Sequence, residues 1–473
     1  MSQSNSLIPL RPAFAVRQEL RQAHGLPFAE QLPPDLIHRT ATSLGVAFRE
    51  RIFTPAVTLL TFLSQVLDHD HSCRQAVARL LAFRSARGLR PCSPDTGAYC
   101  KARGRLPEKL LQELTRDSGR RVADQAPAAW LWKGRPVKVV DGTGLSMPDT
   151  PANQKAYPKS KNLPAGVGFP LLRLVVVFSL AVGTVLEAAL GPRAGRGTGE
   201  QSLFRSLWQQ FQAGDVVLAD RLYGDFFTLA RARQGGFDVV TRPAAGRAPI
   251  RFRGRGRRAD NCRLCWIKPE RPPWLSEEEY EQLPRYLYLR AVRVLVRQPG
   301  FRTKRFVLVT TLRDAAAVSG AELADLYRRR WQVELHLRSL KQSLQMDILR
   351  GQSPEMVRKE VWAHLLVYNL VRRIMVEAAV AANIRADEVS FTGALQTVNA
   401  FLPEMRGVAT RAEAQVLWAV LLWAVGQHRV GQRPDRYEPR AVKRRPKKFP
   451  HLREPRAAAR RRCRRAKRVG RKR

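Results

Sequence analysis

The chain has 473 residues, with 83 Lys and Arg against 40 Asp and Glu, so its formal net charge is +43 at pH 7. This length allows about two to four structural units, and the charge points to a polyanionic partner, above all nucleic acid. A membrane partner is disfavoured because the longest apolar run, Val416 to Val425, is far shorter than the roughly 18 to 20 residues that span a bilayer.

The N-terminus lacks the basic, apolar and small-residue segments of a secretory signal, so we expect an intracellular protein in the cytoplasm, associated with the nucleoid. Six cysteines in so long a chain do not form a disulfide framework. Cys262 and Cys265 form a CxxC pair. Because a structural zinc site needs four ligands, we interpret this pair as ordinary thiols.

Residues 1–130 carry apolar residues at helical spacing, which predicts a helical N-terminal region. Amphipathic stretches run from Thr54 to Leu67 and from Leu106 to Val122. Between them, basic residues alternate with small ones from Lys101 to Arg105. This pattern suits contact with phosphate and suits a solvated surface equally well.

From Pro136 the pattern changes to short β-branched runs, which predict strands separated by helices. The predicted elements of this first part of the core, 131–245, follow in chain order. They are a strand ending at Asp141 before a glycine turn, a hairpin over 171–181 and 184–190, a helix over 200–211, a strand over 215–220, a helix over 226–234 and a strand over 237–241. The order predicts a mixed α/β core.

Three further segments complete the predicted organisation. An Arg- and Gly-rich ribbon at 246–258 and strand-like runs at 286–296 and 305–312 predict a β-rich insertion over 246–312. Helical spacing over 320–382, 392–402 and 411–425 predicts a helical second part of the core within 313–435. The tail, 436–473, has 18 Lys and Arg and one acid from Arg440 onward. It has too little apolar surface to bury, so it is predicted to be disordered on its own.

Two acids, Asp141 and Asp220, end predicted strands, and a third, Glu334, lies on a later helix. Neighbouring strands bring their ends together, and carboxylates are the ligands that Mg²⁺ prefers. A pair of such ions can activate a water or a 3′-hydroxyl at a phosphodiester and stabilise the leaving oxygen. Strand-end aspartates also cap turns, so the acids alone leave this chemistry open.

At 100° per residue, Tyr327, Arg330, Glu334 and Lys341 fall on one face of a regular helix. A charged helix face is more often simply solvated. His336 falls about 180° from Tyr327 and is therefore expected on the opposite side. Trp331 falls about 40° from Tyr327, and we expect it to pack in the core.

Three segments together resemble the acidic motifs of the DDE transposases of bacterial insertion sequences. They are Asp141-Gly-Thr, Asp220-Arg-Leu-Tyr and the pattern Tyr327-x2-Arg330-x3-Glu334-x6-Lys341. The resemblance covers about residues 130–400. It implies an α/β fold with a ribonuclease-H-like, retroviral-integrase-like core interrupted by a β-rich insertion.

The resemblance implies roles for these residues. Asp141, Asp220 and Glu334 would be catalytic and would bind Mg²⁺, for which Mn²⁺ can substitute. Arg330 and Lys341 would hold phosphates of the DNA end with Tyr327 beside them, and Arg221 and Tyr223 are further candidates for DNA contact. Trp266 and Trp274 of the insertion are candidates for holding a flipped base.

The implied reaction is cut-and-paste transposition of double-stranded DNA. A homodimer in a synaptic complex would cut the terminal inverted repeats, form and reopen hairpins, and join the 3′ ends to target DNA. The N-terminal region, 1–130, is expected to bind the DNA ends. The main alternative is a domesticated or inactive copy that acts only as a basic DNA-binding protein. A DNA-packaging protein and a glycoside hydrolase with paired carboxylates are weaker alternatives.

Overall fold

The computed structural model of the protein describes residues 26, 28–46, 51–159, 167–195, 197–244, 250, 252, 261–295, 305–408, 410–431 and 454–470. Within these ranges the chain forms an eight-stranded sheet together with many helices. The predicted mixed α/β class is therefore confirmed. The Arg- and Gly-rich ribbon falls almost entirely outside the described residues.

The strands alternate with helices along the first half of the sheet. They are β1 (Val137–Ser146), β2 (Leu171–Ser179), β3 (Val185–Pro192), β4 (Val216–Leu218), β5 (Asp238–Thr241), β6 (Asn261–Ile267), β7 (Tyr286–Leu295) and β8 (Arg305–Thr310). Their spatial order is β3-β2-β1-β4-β5-β8-β7-β6. β4 pairs in parallel with both β1 and β5, and the other pairs are antiparallel. The strands of the insertion therefore extend the same sheet.

The helices lie before, between and after the strands. They are α1 (Pro34–Ser43), α2 (Pro55–Leu67), α3 (Cys73–Ala86), α4 (Gly97–Arg105), α5 (Glu108–Asp124), α6 (Pro151–Ala156), α7 (Glu200–Arg205), α8 (Phe226–Gln234), α9 (Glu277–Glu281), α10 (Gly320–Arg328), α11 (Gln332–Arg338), α12 (Pro354–Ala381), α13 (Phe391–Gly407), α14 (Arg411–Gln427) and α15 (Arg456–Gly470). The N-terminal region is helical where it is described. Its α2 is buried along its whole length rather than amphipathic.

Alternate residues of the central strands enter two different cores, as the two-residue period of a strand requires. Val139, Val176 and Leu218 belong to a core that also contains the N-terminal helices and α12. Val140 and Val217 belong to a second core, which α7 and α8 cover on the opposite face. The sheet is therefore buried on both faces, which explains the continuous apolar runs of β2 and β4.

The long helix α12 links the N-terminal helical region to the sheet through one buried side chain. The Asn369 amide nitrogen donates to the backbone oxygens of Thr115 in α5 and Val185 in β3, both at 2.9 Å. The Asn369 amide oxygen accepts from Val185 N at 2.7 Å. Every polar atom of this amide therefore has a partner, as a buried polar group requires.

The predicted disorder of the tail is wrong for Arg456–Gly470, which forms α15. Ala and Arg are among the strongest helix formers, and this segment is built mainly from them. Low apolar content therefore did not exclude a helix in this segment. Residues 432–453 and 471–473 lie outside the described part. No helix in the described ranges is long and apolar enough to cross a bilayer.

Buried His364 of α12 makes the stability of the fold depend on pH. Its side chain is 1% exposed, its Nδ1 lies 2.7 Å from Glu360 O, and its ring meets that of His71 edge-on. Burial, with a contribution from nearby His71, lowers the pKa of His364 from 6.5 to about 3. Between these two values the unfolded chain binds a proton here and the folded chain does not, so stability falls as the pH falls below 6.5.

We expect His364→Leu to reduce the loss of unfolding free energy between pH 7 and pH 5 by about 2 kcal/mol, because the proton uptake of the unfolded state is removed. Urea unfolding at the two pH values measures this difference. His69→Leu, at an exposed position, is the matched control and should keep the dependence of the wild type. An unchanged pH dependence in His364→Leu would contradict the assignment.

Candidate active site

Asp141 on β1 lies level with Asp220, which follows the neighbouring parallel strand β4. β1 pairs with β4 from Val137↔Val216 to Val139↔Leu218, and the same register continued by two residues puts Asp141 beside Asp220. Both acids therefore lie level with the chain just beyond the end of β4, between two interior strands of the sheet. The two acids thus come level with each other where β4 ends, although β1 continues.

The prediction that the first strand ends at Asp141 is wrong, because β1 continues to Ser146. β2 pairs with β1 as far as Ser146↔Leu171. Gly142 and Gly144 are therefore paired residues of the strand and do not form the predicted turn. On its β4 side, β1 has no ladder partner in the described residues beyond Val139 until Ser146, which bridges to Ile348. Asp141 thus lies inside a strand but beside an open edge, and Gly142 N donates to its Oδ1 at 2.9 Å.

Asp220 caps the 3₁₀ turn Arg221–Tyr223 and accepts a hydrogen bond from Leu222 N at 2.6 Å. Asp220 therefore does cap a turn, as strand-end aspartates often do. Its carboxylate still lies at the candidate site. Thr241 at the end of β5 donates to the Asp220 backbone oxygen at 2.7 Å, which fixes the turn against the sheet.

The segment from Tyr327 to Lys341 is not one regular helix. α10 ends at Arg328, a 3₁₀ turn covers Arg329–Trp331, α11 covers Gln332–Arg338, and a π-helical turn covers Ser339–Ser343. The 100° spacing used above therefore does not hold through the segment. Such irregular turns change which side chains share a face.

Arg330 nevertheless connects this segment to the first acid. Its Nη2 lies 3.1 Å from Glu334 Oε1 and its Nη1 lies 3.8 Å from Asp141 Oδ2. The Arg330 guanidinium carbon is also 6.0 Å from the centre of the Tyr327 ring. One guanidinium thus joins the acid of β1 to the acid of α11.

Lys341 and Tyr327 lie at this site, although neither is freely exposed. Lys341 Nζ donates to Thr143 Oγ1 of β1 at 3.3 Å. Tyr327 is 8% exposed, and its burial, moderated by Arg330 and Arg242, raises the pKa of its hydroxyl to about 12. The Tyr327 hydroxyl is therefore neutral at physiological pH.

Of the two residues predicted beside Asp220, only Arg221 is exposed. Tyr223 is fully buried, and its hydroxyl donates to Glu200 Oε1 at 2.7 Å. Its prediction as a DNA-contacting residue is wrong for this structure, because the aromatic side chain packs beneath the turn against Phe204.

The tryptophans also differ from expectation. Trp331 was expected in the core but is 59% exposed, because the 3₁₀ turn carries it off the buried stripe. Trp266 is buried on β6, whereas Trp274 is 41% exposed with the Arg205 guanidinium 4.0 Å above its ring. His336 is buried, with Nδ1 3.0 Å from the Tyr368 hydroxyl.

The sequence did not single out Glu200 as an acid of this site. It begins α7 on the opposite face of the sheet, yet it contributes to the electrostatics of Asp141. Burial raises the pKa of Asp141 to about 6, Arg330 opposes the rise, and Asp220 and Glu200 add to it. The only signal for Glu200 in the sequence is that it starts the helix after a glycine-rich loop, and that position alone indicates no chemistry.

The donor types at the site fit a hard divalent ion. Asp141, Asp220, Glu334 and Glu200 all offer carboxylate oxygens, which suit Mg²⁺ and Mn²⁺. In the part of the chain that the structure describes, no three His, Cys, Asp or Glu side chains are already grouped so that they could hold a metal ion. The cationic group between Asp141 and Glu334 in this structure is the guanidinium of Arg330.

Comparison with known proteins gives a consistent set of relatives. The sequence model of the transposase DDE domain matches residues 132–370. Transposase InsG of insertion sequence element IS4 from Escherichia coli K12 is 26% identical over 432 residues, which cover 89% of this chain and 92% of InsG. The putative transposase InsL of element IS186A from the same organism is 38% identical over 69 residues, 15% of this chain and 19% of InsL.

Among solved structures, a piggyBac transposase synaptic complex with hairpin DNA aligns with a TM-score of 0.40 and 9% identity, over 88% of this chain and 86% of that chain.

Proposed function

Because the chain belongs to the family of DDE transposases of bacterial insertion sequences, we propose that it cleaves and joins the ends of its own element at Asp141, Asp220 and Glu334. The observation that carries this proposal is the link that Arg330 makes between Asp141 and Glu334, while the strand register brings Asp220 level with Asp141.

These three acids are the residues that would hold the divalent cofactor, which we propose to be Mg²⁺, with Mn²⁺ as a substitute. When bound, a pair of such ions supplies Lewis-acid activation of the attacking hydroxyl and stabilises the leaving oxygen. Arg330 and Lys341 lie on either side of Glu334 in the chain, where their cationic groups can orient a phosphate of the DNA end. Exposed Arg221 lies beside Asp220 and is a further candidate for this contact.

The sheet supports a ribonuclease-H-like core for this site. Three antiparallel strands, β3-β2-β1, continue through two parallel strands, β4 and β5. Asp141 lies on β1, and Asp220 follows the neighbouring strand β4 by two residues. We propose the division into 1–130, 131–245, 246–312, 313–435 and 436–473 as stated from the sequence, with the insertion between β5 and α10.

The charge distribution supports double-stranded DNA as the partner. α15 is strongly basic, and the guanidinium carbon of Arg456 lies 4.4 Å from the Phe169 ring centre. Phe169 precedes β2, whose first residue pairs with Ser146 at the end of β1. The basic helix therefore begins near the strand that carries Asp141, where its cations can neutralise phosphates of flanking DNA.

We propose cut-and-paste transposition through a hairpin intermediate, carried out by a homodimer on two terminal inverted repeats and a target site in nucleoid DNA. The test is to incubate the purified full-length protein and Mg²⁺ with DNA that carries the repeats flanking its own gene. We expect a nick that frees a 3′-hydroxyl at the element end, followed by a hairpin product on a denaturing gel.

DNA without the repeats is the matched control substrate and should be bound but not cut at a defined position. Binding of the repeat DNA without a nick, at every salt and metal concentration tested, would contradict the proposal. That result would favour the alternative of a copy that acts only as a basic DNA-binding protein.

A further inference from the structure

Gly142 makes room for the Glu200 side chain next to Asp141. A Cβ atom at Gly142 would lie 2.6 Å and 2.7 Å from the two carboxylate oxygens of Glu200, well inside van der Waals contact. Because side chains alternate along a strand, Asp141 points to the face of α12 and position 142 points to the face of α7. The missing side chain at 142 therefore lets an acid from the second face reach the strand beside Asp141.

Glu200 is held from the segment that carries Asp220. The buried Tyr223 hydroxyl donates to Glu200 Oε1 at 2.7 Å, and Gln201 Nε2 donates to Leu222 O at 2.6 Å. Both partners belong to the 3₁₀ turn that Asp220 caps. The position of Glu200 is thus tied to the same turn that fixes Asp220.

Glu200 has no compensating cation in the part of the chain that the structure describes. Among the described residues, no Lys, Arg or His lies within ion-pair distance of its carboxylate, although the chain carries an excess of 43 positive charges. Arg330 pairs with Asp141 and Glu334 rather than with Glu200. A carboxylate that hydrogen bonds hold in place without a paired cation is a suitable ligand for a divalent ion.

We propose that Glu200 is a fourth acidic residue of the divalent-metal site, and that Tyr223 is the positioning residue that holds it there. This inference rests on the proposed function, since that function supplies the metal. It extends the site from one face of the sheet to both: Asp141 points from β1 to the face of α12, whereas Glu200 meets β1 at Gly142 from the face of α7.

The test is Mn²⁺ binding by the full-length protein without DNA, followed by the electron paramagnetic resonance signal of free Mn²⁺. Glu200→Gln keeps the shape of the side chain and its acceptor for Tyr223, but removes the charge. We expect it to raise the Mn²⁺ Kd about tenfold or more, and Tyr223→Phe to raise it in the same direction, since partners that orient a ligand typically contribute about 10- to 100-fold.

Glu281→Gln is the matched control, because Glu281 is exposed on α9 of the insertion and should leave the Kd unchanged. The unfolding midpoint without Mn²⁺ checks that each variant is folded, and Tyr223→Phe retains the ring that packs on Phe204. A folded Glu200→Gln protein that binds Mn²⁺ as the wild type does would overturn the inference.

Asp141→Asn distinguishes this failure from failure of the proposed function. If Asp141→Asn weakens Mn²⁺ binding and Glu200→Gln does not, the metal site exists without Glu200, and only the present inference is lost. If the wild type binds no Mn²⁺ and Asp141→Asn changes nothing, the proposed metal-dependent function is lost as well.

Discussion

Asp141→Asn, Asp220→Asn and Glu334→Gln are each expected to lower the rate of end cleavage by about 10³-fold or more, while binding of the repeat DNA is retained. Each substitution removes one carboxylate from the proposed metal site, and metal-ion catalysis contributes several kcal/mol to such a step, at about 1.4 kcal/mol per tenfold in rate. The measurement is single-turnover nicking of labelled repeat DNA, with binding followed by gel shift.

Binding should be retained, or should become tighter, because each substitution removes a negative charge from a surface that contacts phosphates. Asp325→Asn is the matched control. Asp325 is exposed on α10 and pairs with Arg328, so its loss should leave both cleavage and binding unchanged. Full cleavage activity in any of the three variants would remove that residue from the proposed catalytic set.

The parts of the fold that depend on local pattern could be predicted from the sequence. β2 and β4 are continuous apolar runs because both faces of the sheet are covered, and α5 has apolar residues at helical spacing because one of its faces packs on α12. β6 was not singled out, since Asn261–Ile267 has no clear alternation and becomes a strand by pairing with β7. Pairing of this kind is a long-range effect that spacing along the chain does not show.

The candidate site likewise has features that the sequence predicts and features that depend on the folded structure. The sequence placed Asp141 and Asp220 on neighbouring elements correctly, but for the wrong reason, since β1 continues past Asp141 to Ser146 and Asp220 lies two residues beyond β4. The angular argument for Tyr327 to Lys341 assumed a regular helix, and the 3₁₀ and π turns invalidate it. It failed most clearly at Trp331, which is exposed rather than buried.

Glu200 could not be found from the sequence because the contact depends on what is absent at Gly142. A glycine in a strand usually indicates a bulge or a close approach by another group, and the sequence does not say which group approaches. The structure identifies it as a carboxylate from a helix 58 positions further along the chain. Gly119, at the junction between the N-terminal helices and the sheet, likewise leaves no room for a Cβ atom.

Gly119→Ala is expected to lower the free energy of unfolding by about 3 kcal/mol or more. A Cβ atom at position 119 would overlap the backbone oxygen of Val185 in β3 and would lie 2.8 Å from Asn369 Nδ2. Both atoms belong to the buried hydrogen bonds that hold α5, α12 and β3 together. The substitution must therefore move α5 away from the sheet and leave polar groups of Asn369 or Val185 unpaired.

Gly104→Ala is the matched control for this effect. Gly104 lies near the end of α4 with nothing within 4 Å of an added Cβ, so alanine there should stabilise the protein by up to about 1 kcal/mol through helix propensity alone. Alanine at position 119 brings the same gain in helix propensity. The destabilisation caused by the overlap must therefore be larger than this gain. Urea unfolding of both variants measures the difference. Equal stabilities would show that α5 does not pack closely on β3, and that the N-terminal helices are a separate unit rather than part of the core.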